Sequence, residues 1–157
     1  MRTINSWLDE YGESHRNETN KLIHWICVPA IFFSVTGLLW CVKFPFFYQG
    51  HQLNLAMIVT ALVILYYFLL SPALAIGMFL FTAFCLYMAH LIEISGIMPL
   101  WLFCLIVFAA AWVGQFYGHK IEGKKPSFLK DIQFLMIGPA WLMSFIYKKL
   151  GIRVGAS

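Results

Sequence analysis

The chain has 157 residues, of which 61% are hydrophobic and only 11% charged, with a formal net charge of +4. Soluble domains usually carry about 25% charged residues, so too few charges are present to cover a water-facing surface, and a soluble domain is excluded. A nucleic-acid binder is a poor fit, because no soluble basic module exists to carry it. At this length one domain is expected, residues 1–157.

Residues 1–21 are polar and hold Asp9, Glu10, Glu13 and Glu18. They lack the apolar core of a cleavable signal, so the first apolar run is expected to act as its own insertion signal. Ile4, Trp7, Leu8 and Tyr11 stand at helical spacing, which predicts a short amphipathic helix suited to a membrane surface. Asn17, Thr19 and Asn20 follow as cap-forming residues.

The apolar runs 22–42, 53–70, 73–92 and 98–117 are each read as a crossing of ~30 Å of hydrocarbon. Residues 43–52, with Pro45 and Gly50, read as a loop. Ser71–Pro72 is a very short link, which makes the second and third runs antiparallel neighbours. A turn at 93–97 precedes the fourth run, and a basic segment from His119 to Lys130 follows it. The last apolar stretch, 128–147, contains Lys130, Asp131 and a central Gly138–Pro139. Proline removes a backbone donor, so this stretch reads as a broken segment: re-entrant, interfacial or a fifth span. The expected fold is therefore an all-α membrane bundle of four transmembrane helices plus this segment.

With four crossings, Arg2, Arg16, Lys21, Lys120, Lys124 and Lys125 share one side, while the opposite loops hold only Lys43. The excess of basic residues assigns that side, with the N-terminus, to the cytoplasm. The expected location is the inner membrane of a bacterium or the endoplasmic reticulum of a eukaryote. The cysteines Cys27, Cys41, Cys85 and Cys104 lie in or at the end of apolar runs and form no CxxC pair, so they read as free thiols.

The same topology sorts the histidines. His15, His24 and His119 fall on the basic side, and His51 and His90 near the other. Ionisable groups at membrane depth are costly and mark functional sites. A bend at Asn17–Asn20 is needed to bring His15 and His24 together, since nine residues put them on opposite faces of a straight helix. Asn20 and His24, four apart, share a face; Gln115, His119 and Glu122 share another. Gly114 and Gly118 permit close helix packing. Imidazoles with a carboxylate suit Fe(II), Zn or Mn. A lone histidine near a helix end is more often simply hydrogen-bonded, and that reading is kept for His51 and His90, with Glu93 as a loop charge. Two further readings stand beside a metal enzyme: a non-catalytic haem- or metal-binding membrane subunit, and a small membrane scaffold.

Two segments carry a resemblance. Tyr11-x-x-x-His15-x-Asn17-x-x-Asn20-x-x-x-His24-x-x-x-Val28-Pro29 resembles the N-terminal signature of the 2-hydroxy fatty acid dioxygenases, also called metal-dependent phytosphingosine-pathway oxygenases. Trp112-x-x-Gln115-x-x-Gly118-His119-Lys120-x-Glu122-x-x-x-Pro126 resembles their second signature. The resemblance covers most of the chain. It implies an Fe(II)-dependent enzyme that uses O2 to convert a 2-hydroxy fatty acid to a fatty acid one carbon shorter. It implies His15, His24 and His119 as metal ligands, and Glu122, Asn20 and Gln115 as catalytic or supporting groups. Lys120 and Lys124 are then expected to meet the substrate carboxylate.

Overall fold

The computed structural model describes residues 4–12, 16–48, 50–123, 128–152 and 154. Six helices and one hairpin follow in chain order: α1 (Ile4–Gly12), α2 (Glu18–Trp40), β1 (Lys43–Tyr48), β2 (His51–Asn54), α3 (Leu55–Leu70), α4 (Pro72–Ser95), α5 (Leu100–Glu122) and α6 (Phe128–Lys149). Among the described residues, α2, α4 and α5 are long and apolar enough to cross a membrane. Helix α3 is as apolar but has 16 residues, a rise of ~24 Å.

Local chemistry sets these boundaries. Asn17 caps α2, its side chain accepting from the backbone N–H of Thr19 at 2.9 Å and Asn20 at 3.3 Å. The bend expected near Asn17–Asn20 is this cap. Asn54 caps α3 through the Met57 N–H at 3.1 Å. Ser71 ends α3 and caps α4, with Pro72 at the first helical position, where its missing N–H costs nothing.

Helices α2 and α5 run antiparallel in close contact. A Cβ on Gly114 would lie 2.6 Å from Cys27 Sγ, and one on Gly118 or Gly37 would collide with Asn20 Oδ1 or Cys104 Sγ. Small residues at these positions let the backbones approach. At the end holding Trp40, the Trp40 indole donates to Glu93 at 2.8 Å. Lys43 pairs with the same carboxylate at 3.0 Å. Glu93 is thus not a loose loop charge: it sits in the last turn of α4 and ties that helix to α2 and β1.

Three elements differ from the sequence reading. The loop expected at 43–52 is an antiparallel hairpin that pairs Tyr48 with His51 and Phe47 with Gln52. Its turn passes through Gly50 at φ +81, a conformation that costs glycine little. The amphipathic α1 buries Ile4 and Tyr11 in protein contacts, packing on α6 and α2 rather than offering its apolar face to lipid. Helix α6 is not broken at Gly138–Pro139 but is helical throughout, with Pro139 inside. A proline leaves carbonyls of the preceding turn without N–H partners. The carbonyl that Pro139 deprives is that of Leu135, four residues back; the Tyr67 hydroxyl donates to the adjacent Met136 carbonyl and ties this turn to α3. Gly138 brings α6 against Tyr11 Oη and Val28, where a Cβ would lie 3.1 Å from each.

From its middle onward α6 packs on α2, α3 and α4. At its middle lie Tyr67, three residues before the end of α3, and Val28, midway along α2. Near its end, the Tyr147 hydroxyl donates to the Ala73 carbonyl in the first turn of α4 at 2.7 Å. Beyond it, Ser71 donates to the Val154 carbonyl. Helices α1 and α6 together cover the end of the bundle at which α2 begins and α5 finishes.

Candidate metal centre at the covered end

The site grows from the α2–α5 contact. On α5 the buried residues Ala111, Gln115 and Gly118 form a stripe facing α2. Because Gly118 has no side chain, Asn20 fits against the α5 backbone. Asn20 is fully buried, and His24, one turn on, is 1% exposed. The rings of His24 and His119 meet edge to face, with centroids 5.2 Å apart and planes at 88°.

His24 Nδ1 lies 2.9 Å from the Asn20 carbonyl oxygen. That oxygen can only accept, so Nδ1 is the donor and carries the proton. A backbone carbonyl holding one ring nitrogen is how metal-ligating imidazoles are commonly oriented.

Glu122 closes the end of the pair. Its Oε1 accepts from the Arg16 N–H at 2.9 Å, and its Oε2 from the Asn17 N–H and Asn20 Nδ2, each at 3.0 Å. One carboxylate thus joins the last turn of α5 to the start of α2, where the helix dipole also favours negative charge. In this geometry Glu122 is a clamp that fixes Asn20 and, through it, His24.

The ring geometry can be tested against metal binding. With a metal–nitrogen bond of ~2.1 Å, two imidazoles on adjacent positions of one ion have centroids ~4.5–5.2 Å apart, and on opposite positions ~6.4 Å apart. The observed 5.2 Å lies in the range of adjacent ligands of one ion and equally in that of ordinary edge-to-face ring packing. Among the described residues no group of three or more His, Cys, Asp or Glu is gathered at ligand distance.

Of the other expected site residues, His15 and Lys124 lie outside the described residues. Gln115 is 7% exposed on the α2-facing side of α5. Lys120 is exposed in the last turn of α5. His90 packs its ring 6.1 Å from Trp40, at the far end of α2 and ~24 Å of helix from His24. His51 belongs to the hairpin beyond that same end. The sequence reading missed Arg16 and Lys21 as anything but topology signals, although they line a cavity with Trp141 and Phe145. It also missed Gly118 as the seat of Asn20.

These features define a class: a helical protein with three segments able to cross a membrane and an imidazole pair held at one end of their bundle. A family model described as 2-hydroxy-palmitic acid dioxygenase Mpo1-like matches residues 1–150, and the chain belongs to this Mpo1-like family. It is also 30% identical over 152 residues to the 2-hydroxy-palmitic acid dioxygenase MPO1 of Saccharomyces cerevisiae, covering 94% of this chain and 82% of the yeast protein. No solved structure matches.

Proposed function

We propose that this chain is a membrane-embedded Fe(II)-dependent dioxygenase that shortens a 2-hydroxy fatty acid by one carbon. The observation that carries the reading is the His24–His119 pair, whose spacing suits adjacent ligands of one ion and whose His24 tautomer is fixed by Asn20. Family membership supplies the substrate class. His24 and His119 hold the metal, with His15 as a third ligand. Bound Fe(II) supplies O2 activation, which no side chain of the protein can provide.

The protein's own residues perform the rest. Asn20 holds the His24 ring by its carbonyl and the α5 terminus by its amide. Glu122 locks the two helix ends so that the rings keep their angle. Gln115, one turn before His119, lines the same buried stripe and supports that ring. Burial excludes water from the His24 side of the pair, while His119 is only half-buried. The substrate carboxylate stays at the basic rim, where Lys120 is exposed, while the acyl chain lies among apolar side chains.

The proposed topology has four crossings, with the shorter α3 as one of them. Helix α6 lies across the cytoplasmic end, a reading supported by its bonds to the last turn of α3 and the first of α4. This keeps Lys148, Lys149 and Arg153 with the other basic residues, as the positive-inside rule favours. The membrane is the bacterial inner membrane or the endoplasmic reticulum.

The test is turnover. Purified protein given Fe(II), O2 and 2-hydroxypalmitate should yield the acid one carbon shorter, detected by mass spectrometry. His24→Ala and His119→Ala should each abolish the product, and His90→Ala should retain it. Folded, iron-supplied protein that leaves the substrate intact overturns the proposal.

A further inference from the structure

The covered end carries a cavity that the imidazole pair does not use. It is an open cleft of ≈ 490 Å³ between α1, the start of α2 and α6. Leu8, Trp141 and Phe145 line it with apolar surface; Arg16 and Lys21 bring two cations, and Asp9 one carboxylate. A second cavity shares Leu8, Asp9, Trp141 and Phe145 and continues along α6 to Lys148 and Ile152.

We infer that this cavity is the carboxylate end of the fatty-acid site, with Arg16 and Lys21 as the residues that receive the anion. The inference rests on the proposed function and replaces Lys120 as the carboxylate partner. The lining itself holds two cations and one carboxylate, and Glu18 offsets Lys21 from outside it, so a net +1 suited to a monoanionic carboxylate arises only once Glu18 is displaced. Asp9 repels the greater charge of a phosphate monoester. The positive end of the α2 dipole adds to the same field. Among the described residues Lys21 pairs with Glu18 in an exposed contact at 3.4 Å, a pair that a stronger partner displaces at little cost. The apolar wall of Leu8, Trp141 and Phe145 then receives the first methylenes.

Position supports this. Lys21 stands three residues before His24 on α2, so the two side chains are neighbours on the helix surface. Neither His24 nor His119 lines the cavity, so this one turn of α2 is the link between the two sites. Lys120 is one residue from His119 on α5, ~100° around that helix.

The experiment is binding of radiolabelled palmitate, which lacks the 2-hydroxyl, to metal-free protein in phosphatidylcholine nanodiscs, beside KM for 2-hydroxypalmitate in the iron-loaded enzyme. Arg16→Gln and Lys21→Gln should each weaken palmitate binding and raise KM about fivefold, as expected for loss of ~1 kcal/mol. Arg16→Lys should restore most of the affinity. Hexadecanol, which has no charge, should compete poorly. Wild-type affinity in the double Gln variant overturns the inference, as does equal competition by hexadecanol. A KM rise confined to Lys120→Gln overturns it too, and so does displacement of palmitate by nanodiscs rich in phosphatidic acid. Charge-dependent palmitate binding without turnover upholds the cavity and sinks the reaction, whereas turnover with unchanged KM in both variants does the reverse.

Discussion

Glu122→Gln separates a clamp from a metal ligand. The carboxylate accepts three hydrogen bonds, one at Oε1 and two at Oε2. Glutamine has one acceptor oxygen, which best serves the Asn17 N–H and Asn20 Nδ2. Its NH2 then faces the Arg16 N–H, donor against donor. A hydrogen bond to a charged group is worth ~1.5–3 kcal/mol, and the charge at the α2 start a further ~0.3–1 kcal/mol. Arg16 is exposed, so water recovers part of the loss, and ~2 kcal/mol is the net expectation. For a chain of this size that lowers Tm by ~4–8 °C. The assay is thermal unfolding of metal-free protein in detergent at one fixed scan rate, since membrane proteins unfold irreversibly. The clamp predicts the full deficit without metal and the same deficit with it. A metal-free variant within ~1 °C of wild type, with a loss appearing only once Fe(II) is added, refutes the clamp.

Two other substitutions probe the scaffold. Gly114→Ala drives a methyl to 2.6 Å from Cys27 Sγ; overpacking of this kind costs ~1–3 kcal/mol, partly offset by the ~1 kcal/mol helix preference of Ala. Thermal unfolding should show a lower Tm, and adding Cys27→Ala should restore it. Tyr67→Phe removes the hydroxyl that serves the Met136 carbonyl, for a loss of ~1 kcal/mol. Hydrogen exchange around Met136–Ala140 should rise, and unchanged exchange and Tm would show that the carbonyl needs no such partner.

Much of this arrangement was legible in the sequence because it depends on short-range rules. Cap chemistry at Asn17, Thr19 and Asn20 marks the start of α2, whereas the Asn54 cap of α3 lay unread inside the run 53–70. Alternating direction of the apolar runs is enough to put His24 and His119 at one end and His90 at the other. Gly114 and Gly118, four apart, announce a close helix contact. What escaped depends on tertiary partners. The surroundings of Gly138–Pro139 come from distant residues, Tyr11 and Val28 against Gly138 and Tyr67 on the Met136 carbonyl, which the local sequence does not show. The hairpin was hidden because Phe44, Pro45, Phe46, Phe47 and Tyr48 show no polar alternation; Phe46, Phe47 and Tyr48 are all exposed. Helical spacing aligns Glu122 with His119 but cannot show its bonds to the N–H groups of Arg16 and Asn17, which come from the other end of the chain. Arg16 and Lys21 were counted for topology alone, since their cavity exists only once α6 folds back over α1.

The claim on which the account turns is that His24 and His119 hold one metal ion between them. Metal analysis of protein purified anaerobically and supplied with Fe(II), beside its His119→Ala variant, tests it most directly. The account predicts near-stoichiometric iron without a haem absorption band in the wild type, and its loss in the variant. Iron bound equally by both proteins, or by neither, would contradict it.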